Sequence, residues 1–378
     1  MVELLNNTNY SAEPTEVFNS LITKVKSIFE TSRVEIEYSG EDIVKARMFY
    51  YKTVPAYLFY KQPLTSIEFF HSNITTIDNY AFYNANLKNF TIPNTVISIG
   101  NYSFYECPLT NLEIPESVTH IGDNAFYGAD IKTLIIPSNI ESLGSRCFYE
   151  CGSLKSVTLP DTPVTLGSDI FGRCGLTTFD FPKWLVDIPG QMFYCCYSLR
   201  LTSLPYGIKS IGRGAFQATS CTFTEIPDSV TTIGSSAFVG IPSSSLTIPS
   251  SVTSLGTGLL AGSASISTLR LRCTCDIPNG VITDTINVNS RLKYVEISGN
   301  IKPTAFRGCT GLSKVWIRES CATIEIGNGT NDRPFYSNSN LTIYAEADSK
   351  PEGWAANFNQ ISTSKFATVI YGVKESPF

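Results

Sequence analysis

Charge is scarce in this sequence. Only 16% of its 378 residues are Asp, Glu, Lys or Arg, against about 25% in an ordinary globular domain, so uncharged polar groups must cover much of the surface. With 28 Lys+Arg against 33 Asp+Glu and a net charge of −5, there is no basic field or run to meet a phosphate backbone, which argues against nucleic acid as a partner. No apolar stretch approaches the roughly 20 residues that cross a bilayer. The amino end also lacks the basic-then-apolar order of a secretory signal. Neither a membrane span nor a signal peptide is therefore expected in this chain. Histidine is nearly missing: His71 and His120 are the two present, and neither belongs to a His-Glu-x-x-His motif or lies beside a nucleophile elbow. A catalytic role, a metal site and a cofactor all lack sequence support, and a non-enzymatic protein is expected.

What is abundant is periodic. Phe59, Phe82, Phe104, Phe126, Phe148, Phe171, Phe193, Phe216, Phe238 and Leu260 recur at intervals of 23, 22, 22, 22, 23, 22, 23, 22 and 22 residues. Length alone suggests two or three domains, but this regularity specifies one repeat solenoid. In the clearest unit, Leu109, Leu112, Ile114, Pro115, Val118, Ile121, Gly122 and Phe126, the alternation of Leu112 and Ile114 predicts a short strand with one buried face. The proline that follows lacks a donor and ends the strand. A second segment turns Val118 and Ile121 inward. The glycine column of Gly100, Gly122, Gly144, Gly167, Gly212, Gly234 and Gly256 is read as a tight turn with positive φ.

The pattern Leu-x-x-Leu-x-Ile-Pro-x-Ser-Val-x-x-Ile-Gly-x-x-Ala-Phe resembles the BspA-type leucine-rich repeats of bacterial, protist and phage surface proteins. It runs over about residues 55 to 345. The segment Leu341 to Trp354 also resembles the one closing many such arrays in gut bacteria and their phages. The resemblance implies an array of short parallel strands, a cell-surface or virion-surface location, and host-protein or cell-surface partners.

The expected division is an amino-terminal cap or docking segment over 1–54, the repeats over 55–345, irregular after 260, and a carboxy-terminal cap over 346–378, with α/β character at both ends. Phe18, Leu21, Ile22, Val25 and Phe29 form an apolar helical stripe. Two uses stay open for it: capping the first coil, or docking on another protein or subunit. Val34 to Tyr38 alternates like a strand, and Asp42 to Tyr51 reads as a second short helix or a degenerate repeat. Thr368 to Val373 reads as a last strand, after a helical turn near Trp354.

Most of the 11 cysteines follow the register. Cys107, Cys151, Cys174, Cys196 and Cys309 each stand three residues after an anchor, a column for a small residue, so stacked core thiols are expected in place of disulfides. On a strand Cys273 and Cys275 would face the same side, and a buried pair explains them better than a zinc site shared with Cys309 and Cys321.

The array becomes irregular after Leu260. The next anchors are read as Ile286, Phe306 and Phe335, and Arg272, Ser298 and Arg318 replace the proline. The outward sheet residues precede the proline by two and four positions. They are mostly short polar groups, with Asp180, Phe223 and Glu225 as larger members. The row then changes to Thr268 and Arg270, Tyr294 and Glu296, Lys314 and Trp316. Exposed Trp, Tyr and Arg are typical of binding hot spots. Arg270, Tyr294, Glu296, Lys314, Trp316, Asp180 and Glu225 are thus the candidate ligand-binding residues, for a protein or glycan on a cell surface. Two alternatives remain. Trp316 and Tyr294 can instead cover the capping end, and the chain can instead be a spacer or assembly component joined to other subunits of a particle such as a virion.

Overall fold

The anchor phenylalanines stack ring on ring. Phe59, Phe82, Phe104, Phe126 and Phe148 are fully buried, with successive centroids 5.0 to 5.5 Å apart. That spacing is close to the separation of hydrogen-bonded strands, so one ring per coil forms a continuous aromatic spine. Around it, in a computed structural model describing residues 34–40, 42–70, 73–282, 291–329, 331–338 and 340–378, the chain winds as a parallel β-solenoid of about 14 coils. The stripe Phe18, Leu21, Ile22, Val25 and Phe29 lies outside the described residues.

Each anchor arm donates forward along the solenoid: Phe82 N bonds Ser103 O at 2.8 Å and Phe104 N bonds Ala125 O at 2.8 Å. The residues two before and two after the anchor have positive φ in coil after coil, as at Tyr80 and Asn84, Tyr102 and Glu106, or Arg146 and Glu150. These left-handed residues, not the glycines of the Ile-Gly pairs, turn the chain. That corrects the expectation for the glycine column, none of which has positive φ. Its members are glycine because coils approach there: a Cβ on Gly100 would sit 2.6 Å from Asn79 N, and one on Gly122 2.6 Å from Asn101 N.

The same edge carries a ladder of side-chain caps. Asn79 Oδ1 accepts from Asn101 N, Asn101 Oδ1 from Asp123 N, and Asp123 Oδ1 from Ser145 N, each at 2.7 Å. The cysteine column adds a third tie. Its thiols donate to the anchor carbonyl of the preceding coil, Cys107 Sγ to Phe82 O at 2.9 Å, Cys174 Sγ to Phe148 O and Cys196 Sγ to Phe171 O at 3.0 Å. Ser263 Oγ does the same to Phe238 O. The small residue expected at this position is thus a donor where it is Cys107, Cys174, Cys196 or Ser263, and a plain apolar filler where it is Ala85 or Ala129. All 11 cysteines are free thiols. Burial pushes Cys107 and Cys196 up to about 12, so they stay protonated and able to donate.

At the amino end, Asp42–Phe49 is a strand, not a helix. It pairs antiparallel with Val34–Ser39 and parallel with Ser66–Phe70, its buried Ile43, Ala46 and Met48 packing into the core. No helix occurs among the described residues, and the segment around Trp354 is a turn bridged to Ile324. Ile282 takes the anchor position after Leu260, and the expected anchor Ile286 lies outside the described residues. Leu260 N bonds Val281 O as Phe238 N bonds Leu259 O, and Ile282 is buried. The interval there is 22 residues, so the irregularity begins later, before Phe306.

The location of the β-ladder changes along the molecule. In the regular coils it runs through the Ile-Gly segments as two-residue strands, from Thr53–Val54 to Thr165–Leu166 and from Asp187–Ile188 to Ser254–Leu255. The Leu-x-Ile-Pro segments there form only a two-stranded patch, Thr133–Ile135 with Ser156–Thr158, and isolated bridges. In the carboxy-terminal coils the Leu-x-Ile segments instead build one six-stranded sheet: Ser245–Ile248, Thr268–Leu271, Tyr294–Ile297, Lys314–Ile317, Thr342–Ala345 and Thr368–Ile370. Loss of the proline explains the change. Arg272 N, Ser298 N, Arg318 N and Glu346 N donate to Ile248 O, Leu271 O, Ile297 O and Ile317 O at 2.8 to 2.9 Å, bonds that a proline could not make.

Candidate functional site

The long sheet lines up the predicted outward residues. Thr268, Tyr294, Lys314, Thr342 and Thr368 are successive register partners, as are Arg270, Glu296, Trp316, Tyr344 and Ile370. Two of these do not lie open to solvent as expected: Trp316 is 4% and Glu296 5% exposed. Residues 372–378 cover the first. Gly372, with φ of 77°, follows the last strand; Val373 O then accepts from Trp316 Nε1 at 3.2 Å, and Phe378 stacks on Tyr294 with centroids 5.1 Å apart. Trp316 is thus itself covered by residues 372–378, and Tyr294 stacks with the last of them.

Glu296 is buried by arginines. Arg270 Nε, Arg272 Nε and Arg318 Nη1 lie 3.7, 3.7 and 3.4 Å from its carboxylate. Arg318 also reaches Glu346 at 3.1 Å and lies 4.4 Å over the Trp316 ring. Arg272 and Arg318 occupy former proline positions, so the replacement that lengthens the strands also supplies the charge. A buried carboxylate is tolerable only when paired, and here it fixes guanidiniums whose outer edges remain half-exposed or exposed. The arrangement suits hydrogen bonding to carboxylates and carbonyls of a ligand. Lys314 lies 5.9 Å over the Tyr294 ring.

The other candidates are not gathered here. Asp180 and Glu225 are exposed on regular coils; Glu225 bridges Thr247, in the column of Arg270, whereas Asp180 lies coils away. Phe223, expected outward, is fully buried, edge-on against Phe216 and Phe238. Thr224 takes the solvent side, because the alternative register would bury a hydroxyl and expose a phenyl ring. His71 lies outside the described residues. His120 is exposed, with Nε2 3.4 Å from Glu141. Among the described residues no group of three or more His, Cys, Asp or Glu converges as a metal site, and no helix is long and apolar enough to cross a membrane. Cys273 is buried and Cys275 half-buried. The hydrogen bond between them raises the Cys273 thiol, helped by burial, and lowers that of Cys275.

A second surface was missed. Tyr57, Tyr80 and Tyr102 stack 4.8 and 4.9 Å apart, and Tyr60, Tyr83, Tyr105, Tyr127 and Tyr149 form a parallel column at 4.4 to 5.5 Å. Tyrosine directly after the anchor recurs at Tyr60, Tyr83, Tyr105, Tyr127 and Tyr149, so the signal was legible in the register. The rings use their faces on one another and are half-buried, and the Tyr127 hydroxyl donates to Glu150.

Coils, spine and widened sheet together define a leucine-rich-repeat solenoid. The model of the BspA type leucine-rich repeat region matches in six copies, over residues 52–174, 119–241 and 209–342. The chain belongs to the BspA-type leucine-rich repeat family. Solved structures agree in fold. A leucine-rich repeat protein of Bacteroides ovatus matches with a TM-score of 0.69 at 23% identity, covering 87% of this chain and 89% of that one. A leucine rich cell surface protein of Faecalibacterium prausnitzii matches at 0.52 and 24%, covering 88% and 96%. The pneumococcal vaccine antigen PcpA matches at 0.58 and 19%, covering 75% and 79%. None of the curated proteins matches the chain.

Proposed function

We propose that this chain is a non-enzymatic recognition module of a surface protein, engaging a macromolecular ligand on a cell surface through the outer face of its carboxy-terminal sheet. The observation carrying this reading is the Arg270, Arg272, Arg318 cluster around Glu296, set on the carboxy-terminal six-stranded sheet, where the regular coils have short bridges. Oriented arginines beside aromatic side chains are suited to recognition and confer no chemistry by themselves. A surface location is supported by the family and by the cell-surface description of the Faecalibacterium neighbour.

The test is binding to cultured epithelial cells and their decellularised matrix. Arg270→Ser with Arg272→Ser leaves Arg318 to pair Glu296 and is expected to weaken binding at least tenfold, with the thermal midpoint nearly unchanged. Native binding should also fall as salt is raised. Undiminished binding by the double variant would refute this site.

A further inference from the structure

Residues 372–378, Gly-Val-Lys-Glu-Ser-Pro-Phe, lie on the sheet face as a ligand would. Val373 supplies a main-chain carbonyl to the Trp316 indole N–H, a bond indifferent to side-chain identity, and Phe378 supplies a ring to Tyr294. Between those anchors the attachment is slight. Gly372 N and Val373 N bond Ala347 O and Ala345 O, and Lys374 Nζ lies 3.5 Å from the exposed Asp348. Beyond Val373 no backbone hydrogen bond joins the segment to a described residue; Ser376 bonds only within it. Lys374, Glu375 and Ser376 are exposed. The strap is tied near its start by Gly372 N, Val373 N and Val373 O and at its end by the Phe378 ring, and it lies over a tryptophan whose ring Arg318 also flanks.

We infer that this face is a docking site for an extended peptide segment of a protein partner, recognised by a backbone carbonyl at Trp316 and an aromatic side chain at Tyr294, and that residues 372–378 occupy it in cis. The inference rests on the recognition reading above and names its partner class. An incoming segment competes with a tethered one whose effective concentration is of millimolar order, so loosening the tether's aromatic anchor raises affinity for the partner without adding a contact.

The chain has three tryptophans, so 5-fluorotryptophan labelling gives a small fluorine spectrum in which Trp316→Phe assigns one signal. The probe is the N-acetylated synthetic heptapeptide Gly-Val-Lys-Glu-Ser-Pro-Phe, added to the native chain and to Phe378→Ala. The variant is expected to shift the Trp316 signal, to bind the peptide at least tenfold more tightly than the native chain, and to return the signal to its native position on saturation. A peptide with alanine in place of its phenylalanine should not bind, and Tyr294→Ala in the Phe378→Ala chain should lose capture at least tenfold. An unshifted signal, or a variant that captures no peptide, overturns the inference. Epithelial-cell binding by the same proteins separates the two claims. If Arg270→Ser with Arg272→Ser loses cell binding while Phe378→Ala captures no peptide, only the peptide site fails. Peptide capture with unaltered cell binding by the double arginine variant leaves the peptide site and removes the recognition site proposed around the arginines.

Discussion

The regular coils and the carboxy-terminal coils join neighbour to neighbour through different arms of the same repeat. From Thr53 to Leu255 the ladder runs through the Ile-Gly segment, and prolines such as Pro115 stop the other arm from pairing at full length. From Ser245 to Ile370 the ladder runs through that other arm, and among the described residues the Ile-Gly side there shows the isolated bridges Ile277 to Ile301, Ile301 to Ile324 and Ile324 to Trp354. The spine hardly notices: Phe306 stacks on Phe335 at 5.8 Å, within the range of Phe148 on Phe171 at 6.1 Å. Where the proline is missing, the main-chain N–H in its place adds a sheet bond, and the same column puts Arg272 and Arg318 beside Glu296. Coil-to-coil cohesion in this fold thus resides in a shared core, while the backbone ladder is free to migrate from one arm to the other.

The strongest way to break that contrast is to restore the proline. Arg318→Pro removes the N–H that bonds Ile297 O and the guanidinium that pairs Glu296 and Glu346. A cost of about 3 to 5 kcal/mol is expected, read from chemical denaturation. Arg318→Ala keeps the N–H and should cost clearly less. At an equivalent position in a regular coil, Pro115→Ala should change stability by about 1 kcal/mol or less, because no sheet bond awaits a donor there. Equal effects at Arg318 and Pro115 would show that the proline column does not direct the ladder.

The glycine column sharpens the other half of the comparison. Gly122→Ala drives a Cβ into the Asn101 backbone at 2.6 Å, and backbone cannot rotate aside, so a loss of about 1 to 3 kcal/mol is expected. Gly152 is also without positive φ and meets nothing within 4 Å of a built Cβ. Gly152→Ala should be neutral or stabilising by about 0.4 to 1 kcal/mol, by reducing the freedom of the unfolded chain. Thermal midpoints of the two variants decide whether close approach or turn conformation selects glycine.

Register made the solenoid legible. A large ring every 22 or 23 residues admits one coil per repeat, and the two outward columns of the long sheet followed from the alternation around Val295 and Val315. Identity without cause was legible at Gly122: a repeated glycine signals a constraint, but a clash with Asn101, one coil back, exists only once the coils are stacked. Exposure at Trp316 was not legible, because the cover comes from Val373, 57 residues away, with no period linking them. Ile282 and Ile286 are both apolar, so the sequence does not separate them, and the bond from Leu260 N to Val281 O is what marks Ile282 as the anchor.

The smallest effect tests the thiol column. Cys107→Ala removes the donor to Phe82 O and leaves a buried carbonyl that still accepts from Ala85 N, so the expected cost is about 0.5 to 1.5 kcal/mol. Cys107→Ser keeps a donor, as Ser263 does in its own coil, and should fall between native and Cys107→Ala. Titration gives an independent check. Burial raises the Cys107 thiol to about 12 from an ordinary value of 9. An acid raised by folding holds its proton more tightly in the native state, so its stabilisation is fully present below pH 9 and drains away as the pH rises towards 12. Native protein should lose stability in that window more steeply than Cys107→Ala or Cys107→Ser, each of which lacks the titrating thiol. Parallel curves for all three proteins would mean that the thiol does not act as a protonated tie between coils.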